Sequence, residues 1–115
     1  VLRGSHQGIN YDSKSIKTDL KKLAAVNLPQ RIIIDCAHDN CEKKFQKQKN
    51  VFESVLEQIS NGGHEILGVM IESHLKEGNQ ILKSDKLEFG LSITDPCLNW
   101  EETAELISQA NYVMC

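Results

Sequence analysis

Apolar residues follow two alternating patterns along the chain. Short, nearly unbroken apolar runs occur at Val1-Leu2, at Ile32-Ile33-Ile34 and at Ile66-Leu67-Gly68-Val69-Met70-Ile71. Consecutive β-branched isoleucines favour extended backbone. A run without polar alternation suits a strand buried on both faces, as in a parallel sheet. Between the runs, apolar residues recur every three or four positions, the helical period. Ile16, Leu20, Leu23 and Ala24 share one such face. Asp12 or Ser13 can cap that helix by accepting from its free N–H groups, and Asn27 and Pro29 end it. Asn40 is placed to cap a second helix, with Phe45, Phe52, Val55, Leu56 and Ile59 inward and Gly62-Gly63 at its end. A polar excursion from Ser73 to Ser92 follows the third run. Within it, Gln80-Ile81-Leu82 and Leu87-Glu88-Phe89 flank Ser84-Asp85, which predicts a small hairpin. Ile93-Thr94-Asp95 is a short extended piece. Asn99 and Glu102 form a capping box for a last helix from Trp100 to about Tyr112, with Ala104, Ile107 and Ala110 inward.

Strands joined by helical crossovers lie parallel, so the fold class is α/β with parallel strands and outer helices. Arg3, His38 and Glu72 then end successive strands, 35 and 34 residues apart, and Asp95 ends the extended piece. In a parallel sheet or barrel, this is the edge where active sites form. Three such units cannot close an eight-stranded barrel, which takes ~250 residues. The alternatives are an open three-layer sheet or part of a larger whole. Either leaves strand edges that invite a partner chain, and a homo-oligomer is expected.

The rim residues carry the candidate chemistry. One imidazole and two carboxylates at His38, Glu72 and Asp95 could bind a divalent metal, and the nitrogen–oxygen set suits Mn2+, Fe2+, Co2+ or Zn2+ better than Ca2+. The guanidinium of Arg3 beside them would hold a phosphate or carboxylate in bidentate fashion. Spacing alone is equally compatible with side chains solvated at loop mouths. Asp35 falls inside a strand and would need partners for its charge. His74 either supports Glu72 or bonds locally, and His6 and His64 are expected in solvent.

Composition narrows the partners. A net charge of −3, with 40% hydrophobic and 25% charged residues, is ordinary for a globular domain. It argues against nucleic acid or an anionic membrane as partner. No apolar run nears the ~20 residues of a membrane span. Cys36, Cys41, Cys97 and Cys115 form no CxxC pair, so reduced thiols in a cytoplasmic protein are expected. Cys36 belongs to the core. Cys41 would open a helix, whose dipole lowers a thiol pKa, so it is a candidate reactive thiol. The lysines at 14, 17, 21 and 22, and at 43, 44, 47 and 49, read as the wet faces of outer helices, or else as anion patches. Arg3-Gly4-Ser5-His6 also has the look of an expression-tag scar.

Four segments together resemble one family. They are Leu2-Arg3-Gly4 with Asn10-Tyr11, Ile34-Asp35-Cys36-Ala37-His38-Asp39-Asn40, the run from Gly68 to Gln80, and Ser92-Ile93-Thr94-Asp95-Pro96-Cys97. In order and spacing they resemble the metal-dependent 3-deoxy-heptulosonate-phosphate (DAHP) synthases of the short bacterial and fungal type. The resemblance covers essentially all of the chain. It implies a TIM (β/α)8 barrel, with residues 1–115 as one C-terminal segment supplying the last three βα units. It also implies the condensation of phosphoenolpyruvate with erythrose 4-phosphate and water to give DAHP and phosphate, the first step of the shikimate pathway to aromatic amino acids. His38, Glu72 and Asp95 match three catalytic metal ligands, and Arg3 matches an arginine that holds phosphoenolpyruvate. The family's fourth ligand is a cysteine on the first barrel strand, and none of the four cysteines here stands in its place.

Departures from the family pattern cluster at the rim. Ala37 replaces the usual serine, Asp39 a small residue, Cys41 a serine, and Ser5 the second glycine after Arg3. These bear on contacts to substrate phosphate. Two other readings stand beside the enzyme. One is a non-catalytic remnant or assembly module of a synthase barrel. The other is a sister synthase that takes a five-carbon sugar phosphate. By resemblance, Ser92-Ile93-Thr94-Asp95 and Glu72-Ser73-His74 favour the four-carbon substrate. The chain alone is expected to show negligible synthase activity.

Overall fold

The structure, a computed structural model, describes residues 1–82 and 86–114. Its regular elements are helix α1 (Ser13–Ala25), strand β1 (Ile32–Asp35), helix α2 (Gln48–Ser60), strand β2 (Ile66–Met70) and helix α3 (Trp100–Met114). Short 3-10 turns at His38–Cys41 and Phe45–Lys47 lead into α2. The two strands pair in parallel, as a helical crossover requires. Their register slips between Ile32 and Ile33, where Ile32 faces Ile66 and Ile33 faces Gly68.

The first and last extended pieces are single bridges rather than strands. Leu2 bridges Ile34 in parallel, its N–H donating to Ile33 O at 2.9 Å and its carbonyl accepting from Asp35 N at 2.8 Å. At the other side, Leu98 bridges Ser73 in parallel. The lateral order Leu2, β1, β2, Leu98 therefore follows the chain. The last extended contact lies at Cys97-Leu98, beyond Asp95. Asp95 itself sits in a bend between the bridges at Ser92 and Cys97.

All helices that reach the core pack on one face of this sheet. Ile16 and Leu20 of α1, Val51, Phe52, Val55 and Leu56 of α2 and Leu106 of α3 form one cluster with Ile32, Ile34, Cys36, Ile66 and Leu98. The other face has no layer among the described residues. Ile33 is 38% exposed and Leu67 59%, so the strands are not buried on both sides as their apolar runs predict. The molecule is correspondingly open. Its radius of gyration is 15.7 Å, against about 13 Å for a compact chain of this length.

Several local expectations shift. Asp12 caps α1, accepting from Lys14 N and Ser15 N, but Ala24 lies in solvent. Asn40 does not cap α2. It is buried, donates to Leu2 O at 3.2 Å and Asp35 O at 2.9 Å, and accepts from Asn10 N, so it ties the first segment to β1. On α3 the inward ridge is Leu106 with Ala110, while Ala104 is exposed and Ile107 is 60% exposed. The turn of the predicted hairpin, 83–85, lies outside the described residues. Its flanks form no strand, and the Gln80 side chain links them instead, accepting from Glu88 N and donating to Glu88 O, both at 2.8 Å. Gly4 is tightly built in: with φ at 73°, an added Cβ would sit 2.7 Å from Asn40 N. Such close packing is not that of a dangling tag remnant.

Candidate metal centre

His38 and Glu72 are set by the ends of the strands they follow, and Asp95 by a bend. His38 follows β1 and opens the first 3-10 turn with φ at 52°, a left-handed conformation unusual for a residue with a side chain. That turn swings the imidazole back over the end of β1. Glu72 lies two residues past β2. Asp95 arrives on the bend before Leu98 and is the most exposed of the three. His38 Nε2 is 3.3 Å from Glu72 Oε1 and 3.9 Å from Asp95 Oδ2. One ligand atom from each residue lies within 4.8 Å of the others, so the three could hold a metal ion.

Electrostatics at the cluster favour a cation. Burial pushes the Glu72 carboxyl above its ordinary range, and the negative charges of Asp95 and Asp35 push it further; His38 and Arg3 only partly oppose them. Two carboxylates converging around a single imidazole nitrogen repel each other, and a divalent ion relieves that repulsion. The donor set therefore fits a transition metal.

Asp35 supplies the backing. It is buried, and its Oδ1 accepts from Ala37 N at 2.8 Å. Its Oδ2 lies 2.8 Å from His38 Nδ1, but out of line for a hydrogen bond, and neither atom has another partner. With Asp35 beside Nδ1, Nε2 is the ring nitrogen that faces Glu72 and Asp95 and the one available to a metal.

His38, Glu72 and Asp95 line a cleft of about 460 Å³ together with Arg3, Asp39, Cys41, Lys43, Phe45 and Gln48. Arg3, at the end of the Leu2 segment, thus shares the rim with the metal candidates. Gln48 was not among the sequence candidates, and Lys43 stood only among the lysines read as wet helix faces or else anion patches. Gln48 carried a legible signal, a polar residue on the same helical face as Val51, Phe52 and Val55. Lys43 reaches the cleft through a left-handed turn at Glu42 and Lys43 and not from a helix face. Cys41 closes a 3-10 turn rather than opening a helix, and burial raises its thiol pKa, so it is not activated. Cys36 is pushed up to about 12 by burial and by Asp35. His74 bonds locally, its Nδ1 accepting from Leu75 N at 2.8 Å.

Fold and cleft together define a class: a parallel α/β protein with an imidazole, two carboxylates and an arginine converging at the carboxyl ends of its strands. The chain belongs to the DAHP synthetase I family, whose description matches residues 1–108. It is 46% identical over 112 residues to a tyrosine-inhibited phospho-2-dehydro-3-deoxyheptonate aldolase of Schizosaccharomyces pombe, covering 93% of this chain and 30% of that protein. It is 43% identical over 109 residues to a Trp-sensitive enzyme of that name from Enterobacter agglomerans, covering 94% of this chain and 31% of that protein. The aldolase of Francisella tularensis SCHU S4 superposes with a TM-score of 0.92 at 34% identity, over 96% of this chain and 32% of that one. The chain thus spans about a third of the length of these relatives.

Proposed function

We propose that this chain is the C-terminal, metal-holding part of a DAHP synthase, supplying the last three βα units of a TIM barrel. The observation that carries the reading is the convergence of His38, Glu72 and Asp95 within 4.8 Å beside Arg3. His38 Nε2 and the two carboxylates would hold Mn2+, Fe2+, Co2+ or Zn2+. A divalent ion there would supply Lewis-acid polarisation of an aldehyde oxygen.

The chain's own residues then have defined tasks. Arg3 holds the carboxylate or phosphate of phosphoenolpyruvate and fixes its face toward the aldehyde of erythrose 4-phosphate. Lys43 adds positive charge on the same rim. In the reaction the methylene carbon of phosphoenolpyruvate bonds to the aldehyde carbon, and the aldehyde oxygen takes a proton. Water adds at the neighbouring carbon, and phosphate leaves with cleavage of its C–O bond. The relatives' names support the four-carbon sugar: a heptonate has seven carbons, of which phosphoenolpyruvate brings three. The five-carbon alternative has no such support.

Completion of the barrel is supported by the bare sheet face at Ile33, Leu67 and Met70. It is supported also by accessible area, 7791 Å² against roughly 6300 Å² for a compact monomer of this mass. The excess, about 1500 Å², is more than the roughly 800 Å² that one partner buries in a standard interface. Further barrel units, or a second copy in a homo-oligomer, would cover it. A cytoplasmic setting accords with free thiols at Cys36, Cys41 and Cys97. No helix among the described residues is long and apolar enough to cross a membrane.

The test is His38→Ala. Mn2+ binding, followed by the loss of free-ion electron paramagnetic resonance signal, should be saturable in the wild-type chain and absent in the variant. In a complete enzyme carrying the same change, metal content and turnover should fall together. Unchanged metal content and turnover would refute the assignment.

A further inference from the structure

We propose that Gln48 is the positioning residue for Glu72, holding its carboxylate against His38. This deepens the metal reading and rests on it for one consequence, ion affinity. Gln48 is the first residue of α2 and is 0% exposed. Its Oε1 accepts from Glu72 N at 2.9 Å, and its Nε2 donates to Glu72 O at 3.2 Å. That pairing fixes the amide orientation, because the flipped amide would set donor against donor and acceptor against acceptor.

The arrangement answers a problem created by the strand. The last rung between β1 and the β2 side is Cys36 N donating to Met70 O at 2.9 Å. Two residues later the backbone of Glu72 has left β1, which has turned away into the His38 turn. A side-chain amide reaching across from α2 takes the place of the missing neighbour strand and satisfies both backbone groups at once. Glu72 O also accepts from Leu98 N at 3.0 Å, three residues after Asp95. Gln48 therefore anchors the junction that both carboxylates depend on. An apolar side chain would pack as well on this face of α2, beside Val51, Phe52 and Val55. A buried amide is costly unless fully paired, so its presence points to the groups it pairs with.

The experiment is NMR on the wild-type chain and on Gln48→Met, which keeps length and packing but can pair with neither backbone group. In the wild type, the Glu72 amide proton and the Gln48 side-chain protons should exchange slowly with solvent. A nuclear Overhauser contact should join the His38 ring to the Glu72 side chain. Gln48→Met, with a dispersed spectrum showing it folded, should lose that contact and bind Mn2+ at least ~10-fold more weakly. Val55→Ala, a core change without polar partners, should keep both properties despite its lower stability. Retention of the His38–Glu72 contact in Gln48→Met would overturn the proposal. So would rapid exchange of the Glu72 amide in the wild type, a result that needs no variant to fold. Absence of Mn2+ binding by the wild type would sink the metal reading instead, and the contact and exchange measurements would still judge Gln48.

Discussion

Glu72 shows a conflict between stability and function within one side chain. Its carboxyl is held above the ordinary range first by burial and then by Asp95 and Asp35. A carboxyl whose folded pKa exceeds its unfolded value favours folding when protonated. That contribution is present below the ordinary glutamate range and is lost as pH rises through the folded value. At neutral pH, without metal, the charge works against the fold. Glu72→Gln is thus expected to raise the melting temperature of the metal-free chain at pH 7 while abolishing Mn2+ binding. A lower melting temperature would contradict this account. Asp12 behaves in the opposite sense. The Ser15 hydroxyl, donating to it at 2.6 Å, holds its carboxyl below the ordinary range. Its contribution is therefore present above the ordinary aspartate range and is lost as pH falls through the lowered folded value. Asp12→Ala should cost ~1 kcal/mol in urea unfolding at pH 7, the usual value of an N-cap, and the gap should narrow in acid.

At the scale of elements, α3 shows how far a helix's own sequence reaches. Its start is set locally, since Asn99 Oδ1 accepts from Glu102 N at 2.8 Å. Only half of the expected capping box forms, because Glu102 Oε2 is buried without a partner. Which face turns inward is not local. Two apolar ridges compete, one through Ala104 and Ile107 and one through Leu106 and Ala110. The second is chosen because α3 must meet α2 and Leu98 on the covered side of the sheet. Leu106→Ala should therefore cost ~2–5 kcal/mol of stability, and Ile107→Ala should change it by no more than about 0.5 kcal/mol. Equal losses in chemical denaturation would mean that the inward face has been misassigned.

For the whole molecule, the open slab matters most. One sheet face carries helices, and the other presents Ile33, Leu67 and Met70 to solvent. The arginine, imidazole and carboxylates stand at one end of that slab, on a rim that a closed barrel would extend. Given phosphoenolpyruvate, erythrose 4-phosphate and Mn2+, the purified chain should form no detectable product. Light scattering should give a mass above the 12.9 kDa of a single chain, because self-association is the available way to cover the bare face. A monodisperse 12.9 kDa species with synthase activity would overturn both expectations.

The positions of strands and helices were legible because they depend on residues close in sequence. Three isoleucines in a row, a cap at Asp12 and stops at Asn27 and Gly62-Gly63 act over a few residues each. His38 and Glu72 could be placed on one rim for the same reason, since a parallel α/β chain delivers its strand ends to one edge, whereas Asp95 reaches that rim on a bend. The tertiary structure alone decided what depends on distant partners. It set Asn40 to tying Leu2 to β1, turned Leu106 rather than Ile107 inward, and brought Lys43 to the cleft through left-handed backbone. It also spent a fully buried Gln48 on the backbone of Glu72. Each of these satisfies a polar group or fills a space supplied by a segment far away in the chain, and no local pattern encodes what that segment will offer.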